Sequence, residues 1–230
     1  MIWFICSGSG GTGKSSAAAA LAQTEAAAGK SVILLDASGP AHTCDALLGT
    51  AGKALMDLGD TISGEAAVSA VLYETAFRGL RYVMADHEAV PVLAEYTESF
   101  LTLQSMCDLL IVDMSTGDSG LDAEIIREED RFILVTRGDF LSLRAAEQSL
   151  DHFRRYGAEV SLIVNQIPDT DRHALRNVQE KTEMTLGYTP DCLIPWRPEK
   201  ENPKAAGEPR VNAAVLQAAA ELCRKWRNGN

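Results

Sequence analysis

Eight residues near the N-terminus, Gly8 to Ser15, have the types and spacing of a phosphate-binding loop. Their sequence, Gly-Ser-Gly-Gly-Thr-Gly-Lys-Ser, matches the pattern G-x-x-x-x-G-K-[ST] in full. Glycines allow successive backbone N–H groups to converge on phosphate oxygens, and a helix N-terminus adds partial positive charge. The residues expected to surround the phosphates of ATP are Gly10, Gly11, Thr12, Gly13, Lys14, Ser15 and Ser16. The alternative is a glycine turn that only connects a strand to a helix.

The last two residues of the pattern have distinct chemical roles. We expect the Lys14 ammonium to reach the β- and γ-phosphates and to stabilise the phosphate that is transferred, which makes it a catalytic residue. We expect the Ser15 hydroxyl to bind Mg²⁺.

Two aspartates follow apolar runs that are typical of buried strands. Asp113 closes the run Leu109–Val112, and Asp36 closes the run Val32–Leu35. Ligands of a parallel sheet lie beyond the carboxyl ends of its strands. We therefore expect both carboxylates to be catalytic residues that hold Mg²⁺ together with the loop serine. The alternative for each aspartate is the first residue of an ordinary turn.

Short apolar runs alternate with helical patterns along the whole chain. The apolar runs predict strands at Ile2–Ser7, Ser31–Asp36, Leu80–Met84, Leu109–Asp113, Phe132–Thr136, Val160–Asn165 and Cys192–Ile194. The helical patterns cover Lys14–Ala28, Glu65–Thr75, Pro91–Gln104, Leu121–Glu129, Phe140–Tyr156, Asp171–Leu186 and Val211–Trp226. This alternation predicts an α/β fold, with a mainly parallel sheet of about seven strands and helices on both faces.

Composition and charge exclude several classes of protein. The 230 residues have an ordinary globular balance, and we predict that residues 1–230 form a single domain. A formal net charge of −11 repels nucleic acid and anionic lipid, so neither is an expected partner. The five cysteines are far apart, which favours reduced thiols in the cytoplasm over disulfides or a zinc knuckle. No run approaches the ~20 apolar residues of a membrane-spanning helix.

Several stretches together resemble the MinD/ParA family of ATPases, the SIMIBI-class branch with a modified Walker A loop. Ser7–Ser16 is similar to the first loop of that family, and Asp36 with Asp45–Gly49 resembles its switch I and the helix that follows. Asp113–Gly117 resembles its switch II. Three motifs found later in sequences of that family are resembled by Val135-Thr136-Arg137, Asn165-Gln166 and Ile194-Pro195. The resemblance covers essentially the whole chain, and altered relatives of the TadZ and CpaE type are similar in the same way.

The resemblance implies further site residues and partners. In the family, an asparagine and the loop after the Ile-Pro pair enclose adenine, which implies this role for Asn165, Pro195, Trp196 and Arg197. From spacing alone, the Asn165 amide could pair with an adenine edge or be an ordinary loop residue. The resemblance also implies an ATP-linked homodimer and a protein partner, which the sequence does not identify.

Two positions depart from the pattern of the family. The family usually has a second lysine that reaches the partner's ATP, and this chain has Ser9 at that position. The family also tends to have an aspartate two residues after the one that matches Asp36, and this chain has Ser38. Serine keeps hydrogen bonding but has no charge. Because one cation on a transferring phosphate is worth roughly a thousandfold in rate, we expect ATP binding with slow hydrolysis.

The function that this sequence favours is an ATPase switch of the MinD/ParA type that positions or assembles a cellular structure. The alternative is a hydrolysis-deficient module that uses ATP to hold a shape for binding its partner, and a small-molecule kinase or ligase is the third class. Membrane association through the C-terminal helix is not favoured, since Val211, Val215, Leu222 and Trp226 share one helical face and predict core packing.

Overall fold

The computed structural model describes residues 1–86, 90–116, 120–121, 123–168, 171–196, 208 and 210–229. The strands in this part of the chain are β1 (Ile2–Cys6), β2 (Val32–Ala37), β3 (Tyr73–Glu74), β4 (Leu80–Met84), β5 (Leu109–Met114), β6 (Arg131–Arg137), β7 (Glu159–Ile167) and β8 (Cys192–Pro195). The helices are α1 (Lys14–Ala27), α2 (Thr43–Leu48), α3 (Leu58–Ile62), α4 (Thr97–Ser105), α5 (Phe140–Phe153), α6 (Arg172–Leu186) and α7 (Ala213–Arg227).

The described strands form one sheet in the order β3-β4-β2-β5-β1-β6-β7-β8. Every neighbouring pair is parallel except β3 and β4, which are antiparallel. The central strands are buried on both faces, which explains their continuous apolar sequences. The prediction of a mainly parallel α/β sheet is therefore confirmed.

Helices pack on both faces of this sheet. On one face, Phe4 and Val112 pack against side chains of α4 and α5. On the other face, Trp3 and Ile111 pack against α1, α2 and α7. The alanines at 17–20 and Ala22 in α1 are buried, because their small side chains allow the helix to lie close to the strands.

The C-terminal helix α7 uses its apolar face for this packing. Val215 and Leu222 are buried against the sheet, and the Trp226 ring lies 5.1 Å from the Trp3 ring in an edge-on arrangement. The prediction of core packing for this face is confirmed. Among the described residues, no helix combines the length and the apolar content needed to cross a bilayer.

Three predicted helices differ from the structure. The region predicted as the helix Glu65–Thr75 contains a 3-10 turn at Val68–Val71 and then strand β3, whose Tyr73 pairs with Tyr82 of β4. The predicted helix Pro91–Gln104 is a 3-10 turn at Leu93–Tyr96 followed by α4. In the predicted helix Leu121–Glu129, the described residues form only a 3-10 turn at Ala123–Ile125. Contacts distant in sequence outweigh local propensity in these segments.

The strand order determines where the phosphate loop lies. The chain leaves β1, in the middle of the sheet, and enters α1 through residues 7–13. On one side of β1, Asp113 and Asp36 are the second-to-last residues of the adjacent strands β5 and β2 and are paired in parallel register. On the other side, Arg137, the last residue of β6, pairs with Asn165 near the end of β7. The polar residues predicted for the site therefore lie along one edge of the sheet.

Candidate functional site

The phosphate loop has backbone conformations that require glycine. Gly11 and Gly13 have φ values of 70° and 88°, in the left-handed region that side chains with a Cβ atom rarely adopt. A Cβ atom added at Gly10 or Gly11 would meet nothing within 4 Å, so this face of the loop is open. A Cβ atom added at Gly8 would lie 2.1 Å from the Ala145 carbonyl oxygen, so Gly8 allows the loop to approach α5.

Donor groups at this loop are available to an anion. Gly13 is the N-cap of α1, and no side chain caps this helix terminus or places a negative charge in its first turn. The hydroxyls of Ser9 and Thr12 are buried and have no hydrogen-bond partner in the described part of the chain. Buried polar groups without partners are costly, and phosphate oxygens would supply acceptors for both hydroxyls. This arrangement fits the phosphate chain of a nucleotide.

Lys14 forms a buried ion pair with Asp113. Its Nζ donates to Asp113 Oδ1 at 2.7 Å, and both side chains are almost completely buried. Burial raises the pKa of the Asp113 carboxyl, whereas the Lys14 ammonium and the Ser15 hydroxyl favour its charged form. A buried charge needs a partner, so Lys14 and Asp113 keep each other in place at the mouth of the loop. Ser16 lies one residue further along α1 and is half-buried.

Asp36 lies beside this ion pair and is fully buried. Its Oδ1 accepts hydrogen bonds from the Ser38 backbone N–H and from the Ser38 hydroxyl, at 3.1 and 2.6 Å. Its Oδ2 accepts from the Cys44 backbone N–H at 3.2 Å and from the Tyr82 hydroxyl at 3.4 Å. Burial, followed by the charge of Asp36, raises the pKa of Tyr82, so this phenol stays protonated as a donor. These contacts attach the segment 37–44 to the end of β2.

Cys44 is a member of this cluster that the sequence interpretation missed, because the wide spacing of the five cysteines gives no sign of a shared site. Its Sγ lies 3.3 Å from Asp113 Oδ2 and 3.9 Å from the Ser15 carbonyl oxygen. Burial raises the pKa of this thiol, and Asp36 and Asp113 raise it further. The one available signal was its position in the segment after Asp36 that resembles switch I.

The residues predicted to contact adenine lie on the opposite side of the loop. Asn165, at 5% exposure, donates from Nδ2 to the Thr12 carbonyl oxygen at 2.8 Å. Its Oδ1 accepts from the Gln166 backbone N–H at 2.8 Å, so both ends of the amide are engaged. Gln166, which has φ 57°, donates from Nε2 to the Gly11 carbonyl oxygen at 2.9 Å. Asn165 therefore contacts the phosphate loop directly.

The remaining predicted adenine contacts follow β8. Pro195 ends this strand, and the Trp196 backbone N–H donates to the Ile167 carbonyl oxygen at 2.8 Å. The Trp196 side chain is 56% exposed, so its ring is available to a ligand. Arg197 and most of the loop that follows, like residues 117–119 of the switch II match, lie outside the described residues.

A protein-family model and a sequence relative each match most of this chain. The ParA family model, described as the NUBPL iron-transfer P-loop NTPase, matches residues 1–184. The ATP-binding protein MJ0547 of Methanocaldococcus jannaschii is 26% identical over 239 aligned residues, which cover 96% of this chain and 85% of that protein.

Two solved structures show the same fold. The MinC:MinD cell division complex of Aquifex aeolicus matches with a TM-score of 0.77 and 21% identity, over 99% of this chain and 95% of that one. The septum site-determining protein MinD of Pyrococcus horikoshii, complexed with Mg-ADP, matches with a TM-score of 0.72 and 20% identity, over 98% and 95% of the two chains. With the family model matching residues 1–184 of 230, the chain belongs to the ParA family of P-loop NTPases.

Proposed function

We propose that this chain is an ATP-dependent molecular switch of the MinD/ParA type, which hydrolyses ATP slowly and positions or assembles a cellular structure. The observation that carries the proposal is the buried Lys14–Asp113 ion pair beside a glycine loop with free donor groups. Membership of a family of P-loop NTPases supports the reaction class. The structure concerned would be of the cell-division, partitioning or pilus type.

Nucleotide binding would change the partner of Lys14. The triphosphate would accept hydrogen bonds from the N-terminal N–H groups of α1 and from the Thr12 hydroxyl. The Lys14 ammonium would then move from Asp113 to the β- and γ-phosphates, where it stabilises the charge that develops on the transferred phosphate. This exchange of partners frees Asp113 Oδ1 in the same event.

The donor set beside the loop fits Mg²⁺. The Ser15 hydroxyl and the carboxylates of Asp36 and Asp113 are oxygen ligands, and the two aspartates are neighbours in register on β2 and β5. Mg²⁺ would neutralise phosphate charge when bound. The Mg-ADP complex of the Pyrococcus horikoshii protein supports the same nucleotide chemistry for this chain. The Asn165 amide and the exposed Trp196 ring, with Pro195 and Arg197, would enclose adenine.

The switch itself would be the segment 37–44 together with the residues after β5. Asp36 holds the segment 37–44 through Ser38 and Cys44, so a change at Asp36 would reach the backbone of this segment. Binding of nucleotide would order both segments and hydrolysis would release them. Water would be the nucleophile.

The alternative proposal is a hydrolysis-deficient module that uses ATP to hold a partner-binding shape. Ser9 favours it, because a serine cannot supply the cation that crosses to a partner's nucleotide. Ser38 favours it too, because its hydroxyl is a donor to Asp36 and carries no negative charge of its own. Both residues leave ATP binding intact.

The proposed partners are nucleotide, a second copy of the chain and one further protein. The Aquifex aeolicus relative was solved with MinC, which supports a protein partner for this chain as well. We propose a single domain over residues 1–230 and a cytoplasmic location, in line with the five separate cysteines.

The test is steady-state release of phosphate from Mg-ATP over a range of protein concentrations. The test variant is Lys14→Ala, which removes the ammonium at the loop. The matched control is Lys53→Ala, which removes one exposed lysine elsewhere. We expect Lys14→Ala to reduce release by about a thousandfold or to the background, and Lys53→Ala to behave as the wild type.

The concentration series separates the two proposals. A rate that rises more than linearly with protein concentration would establish an ATPase that works as a dimer. A wild-type rate equal to that of Lys14→Ala, in protein that binds ATP, would reject the autonomous ATPase and favour the binding module.

A further inference from the structure

A cavity of about 570 Å³ lies at the end of α1 that is far from the phosphate loop. Its described walls come from the last turns of α1, from the turn that leads into β2 and from the turn that leads into β4. Gln23, the first lining residue along α1, follows Lys14 by nine residues, which is roughly 13 Å along the helix axis. The cavity is therefore separate from the nucleotide site, and its volume is typical of small-molecule sites.

Gln23 is a buried polar residue in the wall of this cavity. It is 8% exposed, and its Nε2 has no hydrogen-bond acceptor in the described part of the chain. A buried donor without an acceptor destabilises the folded protein, so such donors are rare. An oxygen atom of a bound molecule would supply the acceptor. The cavity thus contains a donor that the chain itself does not use.

The charged residues in the cavity wall are basic, although the chain has a formal net charge of −11. Lys30 and Arg78 line the cavity, and none of its described lining residues is acidic. Arg78 is exposed and has no ion pair or hydrogen bond among the described residues. Its guanidinium is therefore available to an anion.

The second cation, Lys30, belongs to a cluster with an excess of positive charge. Its Nζ lies 2.7 Å from Oε2 of Glu25, which is 1% exposed. Arg227 contacts the other oxygen of the same carboxylate, with Nη1 at 2.6 Å from Oε1. Because two cations share one carboxylate, Glu25 does not cancel both positive charges. Together with Arg78, this cluster makes the cavity attractive to a negative charge.

The remaining side chains of the wall are apolar. They are the half-buried ring of Phe77 and the methyl groups of Ala26, Ala27 and Ala76. Pockets that combine apolar walls with a few polar groups at fixed positions bind small organic molecules. We propose that this cavity binds a small organic anion, a carboxylate or phosphate monoester carried on a ring-sized apolar body.

Each part of the wall has a role in this binding. The anionic group lies between Arg78 and Lys30 and accepts a hydrogen bond from Gln23 Nε2, since hydrogen bonds to charged oxygens are the stronger ones. The apolar body packs against Phe77 and the alanines. The nucleotide site contributes no residue, so this inference is independent of the proposed function.

The test is titration of the ¹⁵N-labelled full chain with 2-naphthoate, followed by nuclear magnetic resonance. The neutral comparison is 2-naphthamide, which keeps the ring and the size. We expect saturable shifts of the Gln23 side-chain amide, which Gln23→Leu identifies by its loss, and of the backbone at 76–79. The dissociation constant for 2-naphthoate should be about 1 mM or tighter, and 2-naphthamide should bind about tenfold more weakly.

Two variants assign the anion to this cavity. Arg78→Gln removes the free guanidinium at an exposed position, so the fold should be unchanged. Gln23→Leu removes the unused donor and keeps a similar side-chain volume. Each should weaken 2-naphthoate about fivefold, and Arg78→Gln should leave 2-naphthamide unchanged. Arg155→Gln makes the same change at another exposed arginine and is the matched control, with affinities equal to those of the wild type.

Three results would overturn the inference. The first is equal affinity of the wild type for 2-naphthoate and 2-naphthamide. The second is a set of shifts confined to residues 8–15, which would place the anion at the phosphate loop. The third is wild-type affinity for 2-naphthoate in both Arg78→Gln and Gln23→Leu. Binding of Mg-ATP tests the proposed function separately, and its failure would leave the cavity site in place.

Discussion

The phosphate loop lies between two sides of different character. The acidic side consists of Asp36, Cys44 and Asp113, which are fully buried. The amide side consists of Asn165, Gln166 and Trp196, of which the tryptophan is 56% exposed. The acidic side carries charges in a low-dielectric environment, whereas the amide side offers neutral hydrogen bonds and an exposed ring.

This difference predicts separate roles for the two sides of the site. Electrostatic interactions are strong where water is excluded, so changes on the acidic side should alter the rate of phosphate transfer. Neutral hydrogen bonds contribute about 1 kcal/mol each, so changes on the amide side should alter affinity and the choice of base more modestly. Variants on the two sides can test this division directly.

Asp113→Asn should produce the largest effect on the acidic side. The change removes the charge that pairs with Lys14 and that would hold Mg²⁺ in the proposed function, while the side chain keeps its shape. We expect phosphate release from Mg-ATP to fall by about a hundredfold or more in single-turnover assays. Asp108→Asn makes the same change at an exposed position just before the same strand and should leave the rate unchanged. If Asp113→Asn and Asp108→Asn released phosphate at equal rates, the acidic side would not control the rate of phosphate transfer, and the proposed difference between the two sides would be wrong.

Gly13→Ala tests the contact between the phosphate loop and the amide side, because Gly13 lies against Asn165. Its φ is 88°, and an added Cβ atom would lie 2.2 Å from Asn165 Nδ2. We expect a loss of about 1–2 kcal/mol in the free energy of unfolding from the left-handed backbone alone. Displacement of Asn165 should also lower ATP affinity.

The control for this variant is Gly10→Ala. The added Cβ atom there meets nothing within 4 Å, so the free energy of unfolding should stay within about 0.5 kcal/mol of the wild type. Denaturant melts measure both variants. Equal losses at the two positions would show that neither the left-handed backbone at Gly13 nor its contact with Asn165 affects stability.

The two sides also differ in how far the sequence predicted them. The loop motif and the strand-ending aspartates are local patterns, and parallel register then brings Asp36 and Asp113 together. Cys44 contacts Asp113 across 69 positions of sequence, and no local spacing indicates such a contact. The sequence patterns did not predict strand β3 for a similar reason, because its two residues are held by pairing with β4 at the sheet edge. On the amide side, the resemblance singled out Asn165 but did not predict its hydrogen bond to Thr12.

Asn165→Ala should have the smallest effect of the three, and it tests what the amide side recognises. In the described structure its amide is engaged by Thr12 and by the Gln166 backbone, so contact with adenine requires an exchange of partners. We expect ATP affinity to fall about fivefold and the preference for ATP over GTP to weaken by a similar factor, which corresponds to one neutral hydrogen bond. Competition binding with the two nucleotides measures both quantities. Gln166→Ala, which removes a neighbouring side-chain amide that donates to the Gly11 carbonyl, should weaken binding without changing the preference. If Asn165→Ala keeps the wild-type preference, Asn165 positions the loop and the base is recognised elsewhere.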